Sequence, residues 1–414
     1  MSAVDVLVVG GGPAGLAAAV QLRRDGVTQV LVAEREPQTG GIPRHTDHTG
    51  FGLQDLHRLY RGPRYAHVYT DLAAAAGAQL QPSTTITGWA QTTPGQLAVE
   101  ATGRGGRQTI QARAVLLATG CRERPRSARL VPGTRPLGVF TTGSLQQLVY
   151  LHRQPVGRRA VIVGAEHVSF SAVLTLAHAG VTVAGLVTEY PRHQSLAAFR
   201  VATALRYRAP LLTRTRVSAI LGRPRVQAVE LTDLATGGVH RLACDTVVFT
   251  GDWIPDHELA RRAGLRMDRG SNGPQVDQGL RTSTPGVFAA GNLLHGAESA
   301  AVAALSGRHA ASAIRSWLTD GAWPASLPVP IKVIPPLRWV VPAAITSTEE
   351  LPPRERLILR VDQFANGRLA VRQDGQLLWA GRHRLVPGRS IQLPARWLQR
   401  LDLAGGPVSV EVVA

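Results

Sequence analysis

The run Val6-Leu7-Val8-Val9-Gly10-Gly11-Gly12-Pro13-Ala14-Gly15 decides how the rest of this 414-residue chain is read. Four consecutive apolar residues, without alternation, fit a parallel strand buried on both faces. The glycines that follow fit G-x-G-x-x-G, and good helix formers run from Pro13 to Arg24 before Gly26. In that context Gly10 permits the tight turn, Gly12 lets the backbone approach a pyrophosphate, and Gly15 lets helix and strand pack closely. The helix start offers free N–H groups and a positive dipole end to phosphates. A second strand is expected over Gln29–Ala33, and Glu34 ends it, where an acid binds the ribose. Strand, glycines, helix, strand and acid agree on the first βαβ unit of a dinucleotide-binding domain.

Outward from this unit, short alternating segments from Thr84 to Val115, broken by Gly95, Gly103, Gly105 and Gly106, predict a β-meander. A second strand–turn–helix–strand follows: Ala160–Val163, a helix over Ser169–Ala179, Gly180, then Val181–Val183. The strand Val287–Ala290 leads to a helix from about Ala297 to Trp317. A Pro-rich link (Pro324, Pro328, Pro330, Pro335, Pro336) precedes a tail in which Asn366-Gly367 and Asp374-Gly375 separate alternating runs, a hairpin signal.

Composition narrows the classes. Hydrophobic residues at 44% and charged residues at 18% suit a folded core and exclude a disordered chain. Two Cys exclude a disulfide scaffold and fit a reducing compartment. No apolar stretch reaches membrane-spanning length, and the first strand begins almost at Met1, so a soluble, cytoplasmic protein is expected. The formal charge of +18 raises nucleic acid as a partner. Against it, the only Lys is Lys332, so Arg usage dominates, and the Arg residues are scattered rather than gathered into a basic tail. No specific nucleic-acid binding is expected.

Three motifs together, Gly10-x-Gly12-x-x-Gly15 with Glu34, Ala118-Thr119-Gly120, and Thr284-Pro285-Gly286-Val287-Phe288-Ala289-Ala290-Gly291-Asn292, resemble the two-dinucleotide-domain flavoproteins of the glutathione-reductase-like superfamily. The resemblance implies an α/β fold of two Rossmann-like, three-layer ββα domains, the second inserted in the first, followed by a small all-β module. The implied boundaries are 1–125 and 251–325 for the FAD domain, 126–250 for a degenerate NAD(P)-type domain and 338–414 for the module. It further implies FAD held by Gly10, Gly12, Pro13, Ala14, Gly15, Glu34, Arg35, Gly41, Arg44, Ala118, Thr119, Gly120, Gly291, Asn292, Ala297 and Glu298. The last motif normally ends in Gly-Asp, the Asp binding the ribityl chain; here Asn292 stands there, still able to donate and accept.

Gly40 to Leu53, Gly62-Pro63-Arg64-Tyr65 and Ala118 to Pro125 are similar to one branch, the FAD subunits of glycerol-3-phosphate-type, opine and hydroxyproline dehydrogenases and of hydrogen cyanide synthase. That similarity runs over about residues 4 to 320 and implies a partner oxidoreductase subunit. The segment 40–53 carries no Cys, and Cys121 and Cys244 lack C-x-x-C spacing, so disulfide exchange is not expected. The loop offers His45 and His48 instead, either able to take a proton from a substrate alcohol or amine while hydride goes to flavin N5. His45-x-Asp47-His48 lacks a complete ligand set, and no metal is expected. The helix after His295 and Gly296 would point its positive end at the flavin, with Glu298 and Ser299 beside it.

The second turn reads Gly164-Ala165-Glu166-His167-Val168-Ser169, and only its first glycine survives. Glu166 adds bulk and negative charge where a pyrophosphate would approach, so NAD(P) binding is expected to be lost or weak, although Glu189 follows as a ribose acid. The sequence therefore reads as an FAD-dependent dehydrogenase or oxidase of a small hydroxy or amino compound, delivering electrons to a partner or quinone. The alternatives are an NAD(P)H-dependent flavoprotein reductase and, in another class, a flavin-bearing RNA-binding or structural subunit.

Overall fold

The computed structural model describes residues 2–91, 96–296, 298–324 and 328–413. The chain forms two compact units, one of Met1–Arg44, Thr49–Cys121 and Pro255–Ala414, the other of His45–His48 and Arg122–Ile254. The tail clusters with the first unit, and the short segment His45–His48 with the second.

In the first unit the strand Ser2–Val9 is central. It pairs in parallel with Val30–Ala33 on one side and with Gly106–Leu117 on the other. Its Val6, Leu7 and Val8 are fully buried, as the unbroken apolar run demands. Gln79–Gln81 extends the parallel sheet beyond Val30–Ala33, and Val287–Ala289 joins it alongside Val115–Leu117. The long strand Gly106–Leu117 also belongs to the predicted meander, pairing antiparallel with Leu97–Gly103, which pairs with Thr85–Trp89. Part of the connection, residues 92–95 with Gly95, lies outside the described residues.

Helix Pro13–Arg24 packs on the closing helix, which spans Ala300–Asp320. The contact is backbone-close: a Cβ on Gly307 would lie 1.9 Å from the Ala14 carbonyl oxygen. The closing helix starts at Ala300 rather than near 297, because Ser299 caps it, its hydroxyl accepting the Val302 N–H at 3.3 Å. Ala297 itself lies outside the described residues. Behind Gly41, the loop returning to helix Gly62–Ala75 is pinned by Asp55, whose Oδ2 accepts from the Tyr65 and Tyr69 hydroxyls at 2.6 and 2.8 Å.

The tail begins at Val329, earlier than the alternation from 338 suggests. Its larger sheet runs Ala344–Ile345, Val329–Val333, Val408–Val413, Ala365–Gln373, Gln376–Leu385; the smaller holds Leu337–Val341, Arg356–Val361 and Ile391–Pro394. The tail has a core of its own around Leu357, Leu359, Leu369, Val371, Leu393 and Trp397. Asp374-Gly375 makes the expected two-residue hairpin turn, both residues at positive φ. Asn366-Gly367 does not: it lies inside the strand, Gly367 opposite His383.

The second unit has a parallel sheet in the order Val139–Thr141, Thr246–Phe249, Arg159–Val163, Thr182–Val187, Leu211–Leu212, with helix His167–His178 in its βαβ unit. A three-stranded antiparallel sheet, Thr215–Leu221, Ala228–Asp233 and Val239–Ala243, completes it.

Candidate functional site

The first glycine turn is closed by backbone contacts that leave no room for side chains. A Cβ on Gly10, at φ +109°, would lie 2.5 Å from the Ala118 carbonyl oxygen, and one on Gly15 would lie 2.0 Å from the Gly10 carbonyl oxygen. Gly12, by contrast, faces open space, its nearest neighbour being the Gly41 Cα, 3.9 Å from an added Cβ. Pro13 is the first helical residue, the N-cap Gly12 has no side chain, and no side chain caps the helix start. Glu34 is buried, with Oε2 accepting the Gly11 N–H and Oε1 the Glu36 N–H, each at 2.8 Å. Each oxygen keeps lone pairs for a ribose hydroxyl. The open cradle at Gly12, the uncapped helix start and the acid at the strand end fit the diphosphate and ribose of a dinucleotide.

The other motifs converge on this turn. Ala14, Ala118 and Ala303 form one small apolar cluster, and a Cβ on Gly291 would touch that of Ala14 at 2.7 Å. The Gly291 N–H donates to Ser306 Oγ at 3.1 Å. Asp256, which no motif singled out, gathers three more candidates. Its carbonyl accepts from Thr119 Oγ1 at 2.7 Å, its N–H donates to the Gly120 carbonyl at 2.9 Å, and its carboxylate pairs with Arg35 at 3.2 Å. Arg44 ties its own loop, donating to the Gln38 carbonyl at 2.7 Å and facing Glu36 at 3.7 Å. Asn292 is clasped to Glu298: Oδ1 accepts the Glu298 N–H at 2.9 Å, and Nδ2 donates to the Glu298 carbonyl at 3.2 Å.

His45 and His48 lie in the four-residue segment that clusters with the second unit. Within that unit His48 Nε2 is 3.1 Å from Ser171 Oγ, which also accepts from Gln146 Nε2 at 3.0 Å, while Thr46 Oγ1 donates to Gln146 Oε1 at 3.2 Å. His48 thus spends one ring nitrogen on a structural partner, and His45 is buried. His295 is buried too, stacked on Trp339 with centroids 5.4 Å apart and planes 8° apart. Burial drives its pKa down to about 4.

In the second unit the equivalent turn is filled by its own residue. Glu166 is the N-cap of helix His167–His178, and its Oε2 accepts the Ala165 N–H at 3.0 Å. Its carboxylate sits between Gly164 and Gly251, where added Cβ atoms would lie 2.8 and 2.9 Å from its oxygens. The Glu166 carboxylate makes no capping bond to the helix, but its bulk and negative charge stand in the turn where a phosphate would approach. Glu189 is held by both arms of Arg216, at 2.9 and 2.8 Å. Cys121 and Cys244 are both buried and outside any disulfide, and burial pushes the Cys244 thiol up to about 11. Among the described residues no group of three or more His, Cys, Asp or Glu is placed to hold a metal ion, and no helix is long and apolar enough to cross a membrane.

Fold and glycine turn together define a two-dinucleotide-domain flavoprotein. The chain matches the family described as Pyridine nucleotide-disulphide oxidoreductase over residues 4–307, and it belongs to that family of FAD-binding oxidoreductases. It is 28% identical over 342 residues to one of the opine oxidase subunits of Agrobacterium tumefaciens (strain Ach5), covering 75% of this chain and 65% of that protein. It therefore spans a little under two thirds of that relative's length. It is also 27% identical over 299 residues to thioredoxin reductase of Treponema pallidum (strain Nichols), covering 70% of this chain and 88% of that protein. Among solved structures, T. acidophilum thioredoxin reductase shares the fold, with TM-score 0.65 and 24% identity over 76% of this chain and 99% of that one.

Proposed function

We propose that the chain is the FAD-bearing subunit of a dehydrogenase or oxidase that takes electrons from a small hydroxy or amino compound, not from NAD(P)H. The observation that carries this reading is Glu166, whose carboxylate occupies the phosphate turn of the second βαβ unit and whose Oε2 takes the Ala165 N–H. A dinucleotide entering there would meet a carboxylate that fills the turn and repels its phosphates. Disulfide chemistry is disfavoured as well, because both thiols are buried and no disulfide joins them.

FAD would be held by the Gly10–Gly15 turn, Glu34, Gly41, Ala118, Gly291 and Asn292, and when bound it supplies a two-electron acceptor. The chain's own part is to place the substrate and remove its proton. His45 and His48 are the candidate acceptors for the proton of the substrate hydroxyl or ammonium group. The opine oxidase relatives are named as subunits, which supports a partner protein as the next electron carrier and puts opines among the substrates to try.

The test is an anaerobic screen at the flavin absorbance band with NADH, NADPH, glycerol 3-phosphate, proline derivatives, opines and glycine. Bleaching by an organic substrate and not by either nicotinamide is expected. Rapid stoichiometric bleaching by NADH or NADPH overturns the reading in favour of an NAD(P)H-dependent reductase, which the thioredoxin reductase relative supports.

A further inference from the structure

Glu298 immediately precedes the Ser299 cap of the closing helix, and its side chain is only 8% exposed. A carboxylate removed from water needs opposite charge and hydrogen bonds around it. Here both come from the β-module. Arg360 sets Nη2 2.8 Å from Glu298 Oε1 and 3.0 Å from the Gly296 carbonyl oxygen, and its Nη1 donates to the Gly388 carbonyl at 2.6 Å. Ser390 donates its hydroxyl to the same Glu298 oxygen. The guanidinium lies 5.3 Å over the Trp339 ring, the ring on which His295 stacks.

The backbone of Glu298 is what Asn292 grips. An aspartate at 292 could accept the Glu298 N–H but would turn its second oxygen against the Glu298 carbonyl. A carboxamide satisfies both. It still keeps one N–H and further lone pairs for the hydroxyls of a polyol chain. The clasp therefore accounts for the departure from the usual Gly-Asp ending. It also links the β-module to the cofactor motif through one residue, with Arg360 on the carboxylate and Asn292 on the peptide.

We infer that Arg360 is a positioning residue for the flavin: by holding Glu298 it fixes Asn292 and the start of the closing helix, so that the β-module is part of the cofactor site. The inference rests on the FAD reading above. Arg360 has an electrostatic role as well, because it neutralises a carboxylate at the helix end whose positive pole would otherwise be offset.

Four variants test this: Arg360→Met, Glu298→Gln, the double change, and Arg360→Lys. Apoprotein is titrated with FAD, and the midpoint potential of the bound flavin is measured by dye equilibration. Tryptophan fluorescence reports whether the module is folded. Arg360→Met should weaken FAD binding about tenfold, the scale of one lost charged hydrogen-bond anchor. It should also make the potential more negative, because Glu298 is left uncompensated. Glu298→Gln should move the potential the opposite way. Arg360→Lys should recover part of the affinity.

If a single variant fails to fold, the double change decides, since replacing a buried pair outright is often tolerated. A folded double variant should still bind FAD about tenfold more weakly. Affinity and potential equal to wild type in the folded variants overturn the inference and leave the FAD reading intact. Wild-type protein that binds no FAD overturns that reading, and this inference with it.

Discussion

His295 and Asn292 are three residues apart, and each is fixed by a partner that its own spacing does not announce. Trp339, 44 positions on, stacks on His295, and the only route to that pairing is through the fold of the tail. Removal from water holds the imidazole neutral, lowering its pKa from 6.5 to about 4; Glu298 opposes the shift and Arg360 adds to it. The sign of the consequence follows. In acid the unfolded chain takes up this proton first, so the stability due to the neutral ring is complete above 6.5 and is lost as the pH falls towards 4. That contribution amounts to at most about 3 kcal/mol. Urea unfolding from about pH 7 down to about pH 4 should show it. His295→Phe, which keeps a ring against Trp339, should flatten the slope, and an unchanged slope would assign the acid sensitivity to other groups.

At the scale of elements, the two βαβ units differ by what occupies their turns. The first leaves its cradle open at Gly12, and the second fills it with Glu166. Glu166 Oε1 is buried without a hydrogen-bond partner, so removing the side chain should cost little stability, within about 1 kcal/mol. Glu166→Gly should tighten binding of ADP-ribose or NADH to the protein by about tenfold, read by calorimetric titration, as a repelling carboxylate gives way to free N–H groups. No gain in affinity would mean that something other than Glu166 closes the turn. Both βαβ units were legible because each is local: strand, turn and helix succeed one another within a few tens of residues. The turn at Asp374-Gly375 was legible for the same reason. Asn366-Gly367 carries the same kind of signal and misleads, because Gly367 serves a distant neighbour: a Cβ there would lie 2.8 Å from the Val413 carbonyl oxygen. Asp256 and Arg360 were illegible on the same grounds. Their partners lie 137 and 62 positions away, and no spacing rule spans such distances.

Across the whole molecule, the +18 charge turned out to say little about the site, whose pairs Arg35–Asp256 and Arg360–Glu298 are internally balanced. More telling is that the chain divides into two compact units with separate apolar cores, while the motifs proposed to hold FAD all lie in the first. Calorimetric unfolding should resolve into two components. FAD at about a hundred times its dissociation constant should stabilise only the component of the larger unit, by about 2.7 kcal/mol. An equal shift of both would show that the cofactor draws on the second unit as strongly as on the first.

The strand Val408–Val413 lies inside its sheet, between Val329–Val333 and Ala365–Gln373. A chain emerging from the ribosome has everything the first nucleotide fold needs once residue 320 is out. The larger sheet of the module that carries Arg360, however, stays open until residue 413 is free. Synthesis thus separates the making of the cradle from the completion of the module whose Arg360 holds Glu298. A product stalled before residue 408 would carry the nucleotide fold of the first unit with the module's larger sheet still split in two.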